Sequence, residues 1–447
     1  MGVYVLVLAG ATASIADAVA ACSTWPTCSG PVTLSNPALI VAWTHRIAAV
    51  VVGLLVVAAT VLGLYRAERL RVRAALVAAL VLFPVQVALG AFVVTVGPTT
   101  TLRYAHLLTG MGIFSSLVAA LGWTLEARYG SDDESPVTDL DPAPVPEDGS
   151  AGDPADLPPL TGTERLNAYF RLMKPRLMWL LCLVAAAGMA LAAGPALSMR
   201  TVGLTLLGGV LSIGASGTFN HVFERDIDQR MNRTADRPVA THRIPVRNAL
   251  SFGALLATAS LVSFWLVNWL TAVLGLAAIV FYSVVYTLVL KPNTVQNTVI
   301  GGFAGALPAL IGWAAVTGRV GLPGLVLAGV IFLWTPAHFY NLALAYKDDY
   351  ERGGFPMMPV VRGETATRKH IVWYLAATFL AAVTLVALTS LGWLYAGTIT
   401  LLGGVFLYTV IRLHRERTDG AAFRAFHASN AYLGALLVAI VVDALVV

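Results

Sequence analysis

Asn220-His221-Val222-Phe223-Glu224-Arg225-Asp226-Ile227-Asp228 closes an apolar stretch in a chain that otherwise reads as membrane. On a helix, positions i, i+4 and i+8 share one face, so Asn220, Glu224 and Asp228 should present three oxygen-bearing side chains to one point. Arg225, Arg230, Arg233 and Arg237 surround them. Hard oxygen donors suit Mg²⁺, which is usually held together with substrate phosphates. The plainer alternative is a solvated loop of mixed charge after a membrane helix. A second acidic cluster on the same expected side of the membrane weighs against it.

The surrounding chain has 447 residues, 57% hydrophobic and only 12% charged, where a soluble domain carries about 25% charged residues. Apolar runs long enough to cross a bilayer recur thirteen times, at 3–21, 38–65, 74–96, 104–125, 177–197, 201–219, 249–267, 270–289, 298–316, 322–342, 370–390, 392–411 and 428–447. An all-α polytopic membrane protein follows, because helical spans satisfy their own backbone polar groups. The first run lacks a basic leading segment and reads as a membrane helix rather than a signal peptide. With the N-terminus, the acidic motifs and the polar linker cytoplasmic and the C-terminus outside, all basic residues but Arg46, Arg103, Arg200 and Arg319 fall inside. This topology accounts for the net charge of +5. No basic–aromatic surface pattern accompanies it, so nucleic acid is excluded as a partner and the lipid bilayer is the expected one.

Residues 131–162 differ from the rest. Acidic and rich in Pro, Gly and Ala, they have little to bury and read as an extended cytoplasmic tether. They divide the chain into a four-helix bundle (1–130) and a nine-helix module (163–447).

In the nine-helix module the second acidic cluster is Lys347-Asp348-Asp349-Tyr350-Glu351-Arg352. Two carboxylate sets at the mouths of two helices can hold Mg²⁺ ions that bridge a diphosphate and neutralise its charge as it departs. Asn220, Glu224, Asp228, Asp348 and Asp349 are the expected metal ligands. Lys174, Arg176, Arg233, Arg237, Lys291 and Lys347 are the candidates to hold phosphate oxygens. Carboxylates at helix ends rather than mid-bilayer favour interfacial chemistry over ion conduction.

These residues sit in longer motifs: Met173-Lys174-Pro175-Arg176, then Asn220-x3-Glu224-x3-Asp228-x2-Met231-x-Arg233-Thr234-x2-Arg237-Pro238, then Tyr286-Thr287 to Lys291. Gln296-Asn297-x-Val299-Ile300-Gly301-Gly302, Trp334-x-Pro336-x-His338-Phe339 and Tyr346-Lys347-x-Asp349-Tyr350 follow. With them, residues 165–447 resemble the UbiA superfamily of intramembrane prenyltransferases, and within it the heme O synthases (protoheme IX farnesyltransferases). The resemblance implies nine helices around a central cavity, farnesyl diphosphate as donor, heme b as acceptor and Mg²⁺ as metal. Glu224 stands where many members have Asp, and Gly353 where a second acidic residue is usual. The implied chemistry is electrostatic release of diphosphate and attack of a heme vinyl group on the shielded allylic cation. Trp334, Phe339, Tyr340 and Tyr286 are candidate lining residues, with ordinary packing as the plainer reading. For His338 three readings stay open: ligand to the acceptor iron, partner of a propionate, or structural histidine bonded to a carbonyl.

In the four-helix bundle, His45 and His106 fall near the outer ends of the second and fourth helices, close to Cys22 and Cys28. Two imidazoles on facing helices can ligate one heme iron from both sides. Cys22 and Cys28 lie on the expected oxidising face, and a disulfide or two free thiols fit equally. Through Cys22-x2-Trp25-Pro26-x-Cys28, Trp43-Thr44-His45-Arg46 and Tyr104-Ala105-His106, residues 1–130 resemble one half of the heme A synthase family. That implies a bound heme, with a second half supplied by another copy of the chain in a homo-oligomer, or heme binding without oxidation. Two other readings compete for the whole protein: a prenyltransferase with a quinone or lipid acceptor, and a transporter, whose inverted repeats and mid-bilayer polar sites are not evident.

Overall fold

The computed structural model describes residues 1–15, 18–28, 35–66, 69–130, 140 and 160–446. Most of the linker, and Asp17 in the first apolar run, lie outside the described residues. The first bundle contains α1 (Gly2–Ile15), α2 (Ala18–Ala21), α3 (Pro37–Arg66), α4 (Leu70–Thr95) and α5 (Thr100–Tyr129). After the linker come α6 (Gly162–Leu172), α7 (Pro175–Ala193), α8 (Met199–Phe223), α9 (Arg225–Asp228), α10 (Val246–Trp265) and α11 (Trp269–Val280). A π-helix at Phe281–Leu290 continues α11 into α12 (Lys291–Asn293). Then follow α13 (Asn297–Thr317), α14 (Leu322–Ala345), α15 (Lys347–Arg352), α16 (Met358–Val361), α17 (Gly363–Leu388), α18 (Trp393–Glu416) and α19 (Asp419–Val446).

Twelve helices among the described residues are long and apolar enough to cross a membrane, nine of them after the linker. The expected thirteenth is not among them. Its α1 has 14 residues, about 21 Å of helix against a hydrocarbon core of about 30 Å. Tyr4 packs against Phe114 and Phe379, with ring centroids at 5.7 and 4.8 Å, midway along α5 and α17.

The nine long helices form a ring in chain order. Each packs on the next, α7–α8–α10–α11–α13–α14–α17–α18–α19, and α19 returns to α7. Small residues allow the closest cross-ring approach, between α7 and α13. A Cβ on Gly312 would lie 2.1 Å from the Ala185 carbonyl oxygen, and one on Gly188 2.5 Å from that of Ala309. In lipid, such backbone proximity replaces the hydrophobic drive that holds soluble helices together.

The first bundle docks on the ring through α5 and α17. Glu126 takes Arg69 and Arg71 from its own bundle and Lys369 from α17. Trp123 and Trp373 meet edge to face at 6.0 Å. Tyr4, Val7, Phe114 and Leu125 share one continuous buried core with Ile371, Phe379 and Tyr432. The two parts are thus packed together, not merely tethered.

Candidate active site

The turn Met173-Lys174-Pro175 begins the site. Lys174 is in the left-handed region (φ 55°), where the following proline excludes the ordinary helical alternative. The turn lies directly on α8 because residue 217 is glycine: a Cβ there would stand 2.9 Å from the Leu172 carbonyl oxygen. One turn further along α8, the Asn220 side-chain oxygen accepts a hydrogen bond from Lys174 Nζ. The π-helix supplies the opposite wall. Lys174 Nζ donates to Tyr282 Oη at 3.2 Å, and Asn220 Nδ2 donates to Thr287 Oγ1 at 3.2 Å. π-Turns often mark functional sites because the extra residue rotates side chains off the regular helical face.

The spacing expected for the first motif survives a break in the helix. α8 ends at Glu224, yet Glu224 N bonds to the Asn220 carbonyl at 2.9 Å and Asp228 N to the Glu224 carbonyl at 2.7 Å. Asn220, Glu224 and Asp228 consequently converge, all buried to 3% exposure or less. Lys291 Nζ lies 2.6 Å from Glu224 Oε1. Arg237 Nη1 lies 2.7 Å from Asp228 Oδ2 and 3.6 Å from Glu224, so one nitrogen is shared by the two carboxylates.

The charges perturb one another. Burial raises the Glu224 carboxyl, but Lys291, Lys174 and Arg237 outweigh it and hold it below the usual carboxylate range. Burial, with the Arg237 charge next, pushes the Lys174 ammonium down to about 7, against the pull of Glu224.

The second motif is built differently. Asp349 is buried, and it accepts the backbone N–H groups of Asn232 and Arg233 at 2.9 and 3.2 Å. Arg352 Nη2 adds a third bond at 2.6 Å. Burial opposes ionisation here, but Arg352 and the two N–H groups win and depress this carboxyl. A single loop therefore joins the two motifs: Arg237 closes on Asp228, Thr234 Oγ1 donates to the Asp228 carbonyl at 3.1 Å, and residues 232–233 close on Asp349. Asp348 is exposed, in a hollow of about 500 Å³ that Arg233, Lys347, Arg352 and Glu364 also line. Lys347 pairs with Glu364 at 3.4 Å. Arg233 lies over the Tyr346 and Tyr350 rings at 4.9 and 5.4 Å and so belongs to this second hollow. Arg176 is exposed on the first turn of α7.

The donor chemistry fits a small divalent cation. One amide and two carboxylates are hard oxygen donors, and the guanidinium nitrogen between Glu224 and Asp228 shows that the two carboxylates face one cation-sized position. Among the described residues no three His, Cys, Asp or Glu side chains form a metal-holding group by themselves. Asn220, a substrate oxygen or water would have to complete the shell, as Mg²⁺ commonly requires.

His338 is stacked between Trp334 and Phe426, with centroids at 4.2 and 4.3 Å. Its Nδ1 lies 2.6 Å from Ser429 Oγ, and Ser429 Oγ donates to the Phe426 carbonyl at 2.7 Å. A hydroxyl has one proton. With Ser429 Oγ donating to Phe426, Nδ1 is the donor of the His338–Ser429 bond. The partner is a hydroxyl, not the carbonyl expected of a structural histidine. Tyr340 is fully buried in the core beside Tyr374, as ordinary packing would have it.

His45 and His106 line one cavity of about 480 Å³. Both Nδ1 atoms are buried and lack a hydrogen-bond partner. Gln86 Nε2 lies 3.3 Å from His106 Nε2. Cys22 and Cys28 form a disulfide, which resolves the alternative left by the sequence. Arg46 donates to the Pro26 carbonyl at 3.1 Å, pinning that loop.

Tyr282, Thr287, Glu364 and Ser429, which bond to candidate site residues, are not singled out by the sequence reading. Ser429 is 91 residues from His338, and no local pattern signals a π-helix.

Comparison with known proteins agrees with this architecture. Residues 181–434 match the UbiA prenyltransferase family. The whole chain is 70% identical to a protoheme IX farnesyltransferase of Haloarcula marismortui, covering 96% of it. It is 64% identical to protoheme IX farnesyltransferase 1 of Natronomonas pharaonis, covering 97%. A Saccharopolyspora erythraea relative of that name is 46% identical and matches 66% of this chain and 94% of its own length. Among solved structures, one described as digeranylgeranylglyceryl phosphate synthase in membranes superposes with a TM-score of 0.54 at 16% identity, over 64% of this chain and all of that one. An apo UbiA homolog from Aeropyrum pernix gives 0.50 at 18%, over 60% of this chain and 96% of that one. These two share the fold. The family match and the full-length identities together establish that the chain is a multi-pass membrane prenyltransferase of the UbiA family, on its protoheme IX farnesyltransferase branch.

Proposed function

We propose that the protein transfers the farnesyl group of farnesyl diphosphate to a vinyl group of heme b, giving heme O and diphosphate. The observation that carries this reading is the full-length, 70% identical relative named for that activity. The bond from farnesyl C1 to the diphosphate oxygen breaks, and diphosphate leaves with the electron pair. The terminal vinyl carbon bonds to C1. Water then adds at the inner vinyl carbon and loses a proton, leaving a hydroxyethylfarnesyl group. Lys174, Lys291 and Arg237 converge where negative charge grows on the leaving group, and preorganised charge in a dry site is an effective form of catalysis. Arg233 and Lys347, at the second hollow, bind the same diphosphate from the other side of the loop. Asn220, Glu224 and Asp228, with Asp349 and Asp348, would hold Mg²⁺, which would supply charge neutralisation at the departing phosphate oxygens.

The acidic motifs and the linker are placed in the cytoplasm and the C-terminus outside, on the distribution of basic residues. The domain division is 1–130, 131–162 and 163–447. The test is to incubate the purified chain with heme b and farnesyl diphosphate and weigh the porphyrin product. Heme O is expected, and a prenylated quinone or lipid in its place would refute the reading.

A second reading concerns the first bundle. His45 and His106 ligate a heme iron there. It is favoured by two buried, unpartnered imidazole nitrogens on one cavity.

A further inference from the structure

The cavity around His45 and His106 is not built from the first bundle alone. Its wall includes Val386 and Ala387 at the outer end of α17, and Thr389 just beyond it. These three residues belong to the prenyltransferase ring. The same helix is held against the first bundle: Lys369 reaches Glu126 and Trp373 meets Trp123 on α5, and Phe379 packs at a tilt on Tyr4 of α1. Glycine makes the fit close, since a Cβ on Gly122 would lie 2.6 Å from the Trp373 ring nitrogen.

The lining chemistry is specific. Two imidazoles are metal ligands. Arg46 and Arg103 stand on the same cavity as candidate carboxylate partners, and most of the remaining surface is apolar. A planar metal chelate with carboxylate side chains, an iron porphyrin, matches all three features. Two glycines keep the imidazoles in place: a Cβ on Gly10 would lie 3.3 Å from the His45 ring and one on Gly90 3.1 Å from the His106 ring.

We propose that this is a composite iron-porphyrin site, completed by residues 386–389 of the prenyltransferase ring, so that the first bundle cannot bind its ligand fully without the second. The inference rests on the two-histidine reading above and adds to it the part played by α17. It also explains why the bundle is docked through a shared core.

The test uses the full chain in detergent, titrated with hemin and followed by the Soret and low-spin visible bands. Ala387→Trp and Thr389→Trp, which fill the cavity from the α17 side, are expected to weaken binding at least tenfold and to lose the low-spin signature. Val438→Trp, a bulky change on an exposed position of α19, should bind as the parent does. If both cavity-filling variants bind hemin as the parent does, the composite site is overturned. If His45→Ala and His106→Ala also leave the low-spin spectrum intact, the two-histidine reading itself is wrong. A milder variant guards against misfolding. Ala387→Cys, in a Cys182→Ala background, should be shielded from a maleimide by hemin, and unchanged labelling with hemin bound would count against α17 as part of the site.

Discussion

Arg237 grips both carboxylate oxygens of Asp228 with one nitrogen, at 2.7 and 2.8 Å. The same nitrogen stands 3.6 Å from Glu224. A nine-residue separation in sequence thereby becomes one charge cluster with a cation at its centre.

Asp228→Asn keeps the shape of this cluster and removes its charge. Heme O formation should fall by about 100-fold or more, the loss typical of removing one electrostatic contributor to a transition state. Arg237→Ala should fall comparably, and Arg237→Lys should recover only part, because an ammonium on a flexible stem lacks the planar, preorganised guanidinium that holds this nitrogen between the two carboxylates. Product mass spectrometry on washed membranes measures this. Turnover of Asp228→Asn within threefold of the parent would remove Asp228 from the site.

Metal removal is the second test. Chelation of divalent ions should abolish heme O formation, and Mg²⁺ should restore it, since the amide and two carboxylates are donors suited to that ion. Full activity in excess chelator would exclude the metal role of Asn220, Glu224 and Asp228.

Ser429 should act through His338. If His338 ligates the acceptor iron, Ser429→Ala removes the acceptor that fixes its Nδ1 proton, and turnover should drop roughly tenfold, the low end for losing the hydrogen-bond partner of a metal-ligating histidine. Ser429→Thr retains a hydroxyl and should recover most of the activity. A thermal midpoint shared by all three proteins, with activity lost in the alanine variant alone, separates positioning from folding. Equal activities would make the serine a packing residue.

Helix packing makes a prediction of its own. Gly312→Ala should cost about 1–3 kcal/mol, the usual penalty for overpacking, because its methyl would sit on the Ala185 carbonyl. Gly203→Ala meets nothing within 4 Å and should be neutral or slightly stabilising. Denaturation in detergent compares the two.

The sequence by itself determined the membrane fold, the nine spans after the linker and the first acidic motif. Each follows from local rules: apolar length against bilayer thickness, and a four-residue spacing that keeps three side chains on one face. It also brought His45 and His106 to similar depth, because helix direction alternates between successive spans. Tertiary structure decided the rest. That Tyr4 of α1 packs between Phe114 of α5 and Phe379 of α17 is a contact no local rule supplies. That Arg233 faces a second hollow while Arg237 faces the first depends on the fold of one loop. The Ser429–His338 bond, the π-helical wall and the docking of the first bundle on α17 join residues far apart in the chain. Periodicity reports which face of a helix is apolar, but not which distant helix will cover it.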